Sequence, residues 1–410
     1  MSSIGSSQAI VLFSTADWHC PYWTNKQHIA SRLGARGFRV LYVESIGLRS
    51  PGVNTSDFVR ICRRLQRTIG PISEVQKNVW VLSPLTIPGA GHSSPVAQFN
   101  DWQMRNRIRS WLRSVCSIRP IIWTYHPHML RVAKALDPKA LVYHCVDNLG
   151  AIPRINREEF EKAERELLVC SDQVFTTSPE LRERCSALAP GRTDYFGNVA
   201  DTDHFATARK PGPIPADLAA IPQPRLAYIG VLSDFKTDFA LIEATARVHP
   251  EWHFVFIGEE REGQRSASVE RLKALPNVHF LGWKPYAELP GYLRGISVAL
   301  LPQLTNDYTR AMFPLKYFEY LSAGRPVVTT KLPALAEFST LHREASGTDS
   351  FANAIADALS APNIVPLDHP VLRSHSWEAR IDAMLQLIDA RNARQPGNIS
   401  ARTNGSETSL

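Results

Sequence analysis

Apolar residues along this chain fall into short unbroken runs separated by longer amphipathic stretches. Residues 9–15 (AIVLFST) open the series, and a run this apolar is what a parallel strand covered on both faces requires. Lys26–Gly37 reads as a helix stopped by glycine, and Val40–Glu44 as the next strand. Further strands are expected at Val79–Ser83, Ile121–Thr124, Leu141–His144 and Gln173–Thr176, with helices over Phe99–Ser117, Pro127–Leu136 and Arg157–Cys170. Strands alternating with helices predict a doubly wound parallel sheet. Pro190–Pro224, rich in Pro, Ala and Asp, reads as a linker, after which the alternation restarts at Leu226 and runs to about Ser360. Trp377–Asn392 places Ile381, Met384, Leu385 and Ile388 on one side of a helix. Gln395–Leu410 is polar and expected to be disordered.

A chain of 410 residues exceeds one ordinary core and suits two α/β domains. The expected division is residues 1–200, residues 201–375, a terminal helix at 376–392 and a tail at 393–410. No run approaches the ~20 apolar residues of a membrane span. The opening MSSIGSSQAIVLFST reads as a polar lead into a strand, without the basic region of a signal peptide. Cys20, Cys62, Cys116, Cys145, Cys170 and Cys185 show no paired C-x-x-C spacing, so reduced thiols and no metal site are expected. A formal charge of +7 points weakly to anionic partners, and no nucleic-acid module accompanies it.

The segment Asn306–Thr330 (NDYTRAMFPLKYFEYLSAGRPVVTT) carries the most chemistry. It reads as a loop, a helix opening at Pro314, a stop at Gly324 and a strand over Pro326–Thr330. Lys316 then falls in the first turn, the electropositive end of a helix. A cation there makes sense if an anion lies between it and the free N–H groups. Glu319 follows on the same face, displaced along the axis by about 4.5 Å, roughly the step from a nucleotide's diphosphate to its ribose. The other reading is an ordinary Lys–Glu surface pair.

Pro314, Lys316, Glu319, Tyr320, Gly324, Pro326, Val327, Val328 and Thr330 together resemble the donor-site helix of GT-B glycosyltransferases. LAYIG at 226–230, WHFVFIG at 252–258 and NVHFLGW at 277–283 resemble that domain's first three strands and their turns. Asp17–His28 (DWHCPYWTNKQH) with GFRVLYVE at 37–44 is similar to bacterial cell-surface polysaccharide transferases of the teichuronic-acid type. The pattern departs from family 4 glycosyltransferases at two positions. Ala311 stands where many carry a glutamate eight residues before the ribose-binding one, and Val231 where many carry arginine after the first glycine turn.

The resemblance implies two Rossmann-like domains facing across a cleft, with donor on the second and acceptor on the first. It implies a metal-independent hexosyltransferase without cofactor, taking a UDP-sugar to a glycan or lipid-linked acceptor in envelope polysaccharide synthesis. Retention of anomeric configuration is favoured, and the protein is expected in the cytoplasm, peripheral on the inner face of the plasma membrane. Lys316, Glu319 and Pro314 are the expected donor residues. Arg310, Asn306 and Thr309 lie in a loop that can cover the phosphates, Lys236 matches a second basic position, and the backbone of Trp283 falls near the base. Asp147 and Asp17, each following a first-domain strand, are the candidate bases, or else order their loops. For each of His19, His126 and His144 a structural role is expected, with contact to a substrate in the cleft as the alternative. Asp201-Thr202-Asp203 spells a metal-binding D-x-D but falls at the interdomain junction, where a turn role is expected; no G-x-G-x-x-G follows any strand. Phe58–Thr68 and Phe99–Ser117 combine arginines with large apolar residues, which reads as core-packed helices with a solvated basic face or as helices that lie on anionic membranes. The alternative functions are a nucleotide-sugar epimerase and a non-catalytic glycan-binding or partner subunit.

Overall fold

The computed structural model describes residues 8–46, 70–84, 95–117, 119–153, 155–260 and 266–393. Its first sheet is built from β1 (Ala9–Phe13), β2 (Arg39–Val43), β3 (Ser73–Gln76), β4 (Val79–Leu82), β5 (Ile121–Thr124), β6 (Ala140–Cys145), β7 (Gln173–Thr176) and β8 (Thr193–Tyr195), in the order β3-β4-β2-β1-β5-β6-β7-β8. All pairs are parallel except β3 with β4. The second contains β9 (Arg225–Ile229), β10 (His253–Ile257), β11 (Val278–Gly282), β12 (Val298–Leu301), β13 (Val327–Thr330) and β14 (Arg343–Ala345). It is parallel throughout, in the order β11-β10-β9-β12-β13-β14.

The unbroken apolar runs follow from burial on both faces. Ala9, Val11 and Phe13 point into one core with Ile108 and Trp111, while Ile10 and Leu12 point into another with Ile29 and Leu33. In the second sheet Ala227 and Ile229 enter one core, Leu226 and Tyr228 the other. The direction of winding reverses between β1 and β5 and between β9 and β12. Ligands of open α/β sheets bind outside the carboxyl ends of the strands at such reversals. Both domains are therefore doubly wound and Rossmann-like.

Six helices frame the junction and the basic face of the first domain: α1 (Asn25–Ala35), α2 (Pro95–Ser114), α3 (Thr202–Ala206), α4 (Asp307–Arg310), α5 (Lys316–Ser322) and α6 (Trp377–Ala393). After the second sheet, α6 returns to the first domain. There Trp377, Ile381, Met384, Leu385 and Ile388 share the core of Ile10, Ile29 and Leu33. The stretch read as linker holds more order than expected: the edge strand β8, α3 and a short helix at Ala216–Ala219. Three residues of polar edge strand (Thr-Asp-Tyr) carry no apolar run to announce them. Among the described residues the cysteines at 20, 116, 145, 170 and 185 form no disulfide. Cys62, the basic segment Phe58–Thr68 and the polar tail Gln395–Leu410 lie outside the described residues.

Three glycine turns line the carboxyl edge of the second sheet. Gly230 N–H bonds to Ile257 O, and Gly258 N–H to Gly282 O. A Cβ on Gly258, which has φ +149°, would sit 1.8 Å from Gly230 O. No side chain fits there, so strands β9 and β10 can close together at this edge only around glycine.

Candidate functional site

The helix α5 forms where expected, starting slightly later. Leu315 is its N-cap with helical angles, Lys316 is its first residue, and Tyr317 N–H bonds back to Pro314 O at 3.2 Å. At its other end Gly324 adopts φ +69° and Arg325 N–H closes on Tyr320 O, the left-handed stop that the sequence predicts. Tyr320 is buried, and its hydroxyl accepts a bond from Ile229 N–H at 2.9 Å, tying α5 to the end of β9.

Lys316 and Glu319 do not face bulk solvent. Glu319 is 8% exposed, and Lys316 Nζ lies 2.6 Å from its Oε2. Burial raises the Glu319 pKa, opposed by Lys316. In this structure the counter-charge of the first-turn lysine is thus the carboxylate one turn along. The two sit at the junction of the domains. Asp201 and His204 of the interdomain segment act on the charge of Glu319, and Lys316 on that of His28 in α1.

Around them runs a row of stacked rings. His28 stacks on Trp377 with centroids 4.8 Å apart and lies 5.8 Å from Tyr286; Tyr286 in turn stacks on His204 at 4.8 Å. Arg32 Nη1 reaches His28 Nδ1 at 3.2 Å. Burial first, then Arg32, Lys316 and His204, push the His28 pKa down to about 3, so its ring is neutral at ordinary pH. Burial, then Glu319 and Asp201, raise the Tyr286 pKa. His28, His204 and Tyr286 are not among the residues the sequence singles out. His28 belongs to the aromatic-rich 17–28 motif, whose value in the sequence is a resemblance and not a role for any one ring.

The loop ahead of α5 is built by its own polar groups. Asn306 Oδ1 accepts from the N–H groups of Tyr308 and Thr309, and its Nδ2 donates to Phe235 O at 2.7 Å. Thr309 Oγ1 bonds to Leu304 O. Arg310 is exposed and pairs with Asp307 at 2.6 Å. Asp307 also touches the first domain, through Asn148 Nδ2 to its carbonyl at 3.3 Å and Arg157 to its carboxylate at 3.6 Å. Ala311, the position without the family glutamate, is 1% exposed and packs in a first-domain core.

The remaining candidates divide by location. Lys236 lies in the cleft, its Nζ 4.7 Å from the Tyr308 ring, and its charge acts on Lys26 of α1. Asp147, half-buried after β6, acts on Lys26 as well. Asp17, after β1, accepts bonds at its carbonyl from Gln27 Nε2 and Cys20 N–H, which orders that loop. Trp283 follows Gly282 at the end of β11 and is 37% exposed. His126 is buried after β5, whereas His19 is exposed. His144 is enclosed between Trp123 Nε1 and Arg380 Nη2, a structural setting. Asp201 caps α3 through His204 N–H and pairs with Arg32 at 3.1 Å, as a turn residue would.

On α2, Phe99 and Trp102 are 48% and 52% exposed and stack at 5.9 Å. Arg107 and Arg109 of the same helix are tied to backbone carbonyls of Gly70 and Ala135 at 2.8 and 2.7 Å. Among the described residues no helix is long and apolar enough to cross a membrane.

Two facing Rossmann-like domains make up the GT-B architecture, which solved structures share. Sucrose-phosphate synthase from Thermosynechococcus elongatus superposes with TM-score 0.70 at 17% identity, over 95% of this chain and 100% of that one. Anabaena HepE in complex with UDP and glucose gives 0.57 at 14%, over 94% and 97%. The E. coli trehalose-6-phosphate protein bound with UDP-2-fluoro glucose gives 0.58 at 15%, over 94% and 98%. Residues 223–361, which hold β9 through α5 and beyond, match the family described as glycosyl transferases group 1, and the fold of the chain is GT-B. A curated relative from Bacillus subtilis (strain 168), whose name makes it a teichuronic acid biosynthesis glycosyltransferase, TuaH, is 28% identical over 230 residues. That alignment takes in 53% of this chain and 57% of the relative, so the chain spans little more than half the relative's length in the match.

Proposed function

We propose that this protein transfers a hexose from a nucleotide-diphosphate sugar to a glycan or lipid-linked acceptor during synthesis of a bacterial surface polysaccharide. The observation that carries the reading is the Lys316–Glu319 pair, half-enclosed at the domain junction on a helix tied to the glycine-lined edge of the second sheet. Bound donor would take over both groups. The diphosphate replaces Glu319 as the counter-charge of Lys316, and the carboxylate turns to the two ribose hydroxyls. UDP is the favoured nucleotide, supported by UDP ligands in two of the structural neighbours.

Cleavage of the donor leaves negative charge on the diphosphate while the anomeric carbon becomes cationic. Stabilising that leaving group with cations placed in advance is the protein's largest contribution, and Lys316 and Lys236 are the donor-domain cations at hand. The acceptor hydroxyl belongs on the first domain, where Asp147 and Asp17 follow β6 and β1 and are the candidate bases. Transfer without a metal, and with retention, is the form of the reaction we favour.

Glu319→Ala tests the reading. Loss of a charged hydrogen bond costs about 1.5–3 kcal/mol, so donor kcat/KM should fall about 10–100-fold while the variant stays folded. Unchanged donor kinetics would remove Glu319 from the site. Sugar release or rearrangement from UDP-sugar alone, with no acceptor, would point to an epimerase instead.

A further inference from the structure

The proposed transfer gives no role to α2, the 20-residue helix that joins β4 to β5. One face of it lies in the first domain: Met104, Ile108, Trp111 and Leu112 are buried in the core of Val11, Phe13 and Ile122. The opposite face holds Phe99, Trp102, Arg109 and Arg113, which recur at helical spacing and are all exposed. The helix runs antiparallel to the strands it covers. Arg39, at the start of β2, donates to Val115 O just past the end of α2, and Trp111 lies 5.7 Å from Trp80 of β4. Arg107 Nη1 donates to Ser83 O, just after β4, at 3.4 Å. Trp102 and Phe99 lie further toward the amino end, about 7 and 12 Å beyond that level at about 1.5 Å per residue. The stacked rings therefore stand past the carboxyl edge of the first sheet, the edge that carries Asp147 and Asp17, with the exposed arginines behind them. Along α2, Arg105, Arg107, Arg109 and Arg113 stand against one acid, Asp101, which pairs with Arg131 of the neighbouring short helix at 2.6 Å. Arg109 bonds to the Ala135 carbonyl, which leaves its charge in place.

Two half-exposed rings offer apolar area on the order of 200 Å². A stable protein interface takes roughly 800 Å² from each partner, so this patch is too small to be the centre of one. A bilayer needs no matched partner surface. Aromatic rings settle at the boundary of headgroups and chains, and guanidinium groups are drawn to anionic headgroups. We propose that α2 docks the first domain on an anionic membrane, with Phe99 and Trp102 entering the headgroup region and Arg109 and Arg113 meeting its phosphates. The acceptor edge of the first sheet then faces the lipid surface, which selects the lipid-linked acceptor over the free glycan. That choice of acceptor rests on the transferase reading; the docking does not depend on the donor.

The test is co-sedimentation of the full chain with vesicles of phosphatidylcholine alone and of equal parts phosphatidylcholine and phosphatidylglycerol. Wild type should bind the anionic vesicles and not the neutral ones, and added salt should release it. The double variant Phe99→Gln, Trp102→Gln should lower the partition coefficient about 10–100-fold, since both rings lose their apolar area. Arg113→Gln should lower it about fivefold, the worth of one basic residue near an anionic surface. All three side chains are exposed, so each variant should melt at the wild-type temperature. Glu319→Ala should bind vesicles as wild type does, so that failure of the donor reading and failure of docking are told apart. Absence of wild-type binding to the anionic vesicles would overturn the proposal, and so would binding that survives the double variant. Self-association of the wild type in sedimentation equilibrium, abolished in the double variant, would overturn it as well by making this face an interface between two copies.

Discussion

His28 shows how far one side chain can be shifted by its place between domains. Its ring is held between Trp377 and Tyr286, with Arg32 donating to Nδ1. A proton on that ring would displace the Arg32 bond and add a cation beside Arg32, Lys316 and His204. The folded pKa of about 3 lies below the ordinary 6.5, so between those values the unfolded chain binds more protons than the native one. Stability from this group is complete above pH 6.5 and is lost as pH falls toward 3, at about 1.4 kcal/mol per pH unit. Urea unfolding of wild type and His28→Gln across that range should show a steeper acid loss in the wild type, other titrations being common to both. Parallel pH profiles would mean that His28 is not neutral in the fold.

At the level of elements, α5 is held at both ends by contacts that fix where Glu319 points. Tyr320 bonds to β9, and Arg209 closes the far end, with Nε to Ser322 O at 2.8 Å and Nη2 to Leu321 O and Val365 O, both at 2.7 Å. A guanidinium on the last carbonyls of a helix satisfies groups that have no partner within it and opposes the helix dipole. Arg209→Met should cost about 2–3 kcal/mol in urea unfolding and raise the KM for donor more than it lowers kcat. Wild-type stability would show that Gly324 and Arg325 close the helix unaided. The sequence pattern locates α5 because proline, glycine and the apolar strand after it act within a few residues. Arg209 is more than a hundred residues upstream, inside a stretch that composition marks as linker, and nothing local distinguishes it there. The strands are legible for the same local reason, since β1 and β9 are apolar at consecutive positions. The edge strands β3 and β8 are not, because strands with few buried side chains lack an apolar run. Asn306 and Thr309 show the converse: polar loop residues that suggest phosphate contacts spend their hydrogen bonds on the turn itself.

The whole molecule is joined by a relay of buried amides. Arg380 of α6 donates to Asn25 Oδ1 at 2.8 Å, Asn25 Nδ2 to Asn198 Oδ1 at 2.8 Å, and Asn198 Nδ2 to Phe313 O at 2.7 Å. The chain runs from the terminal helix through α1 and the interdomain segment to the residue just before Pro314 and α5. A return of the last helix onto the first domain would give two swinging bodies if the junction were filled with water. Buried amides bonded in series make it a defined joint instead, since each has its partner only in this arrangement. Asn198→Ala leaves Asn25 Nδ2 and Phe313 O without partners, at about 1–3 kcal/mol for each. The cost falls on the joint, because Asn198 lies between the two sheets and in neither. Scanning calorimetry of the wild type should then give one cooperative transition, and of Asn198→Ala two, with the donor domain separating from the first. A single transition at the wild-type temperature would show that the apolar contacts of α6, and not the amide relay, hold the domains in register.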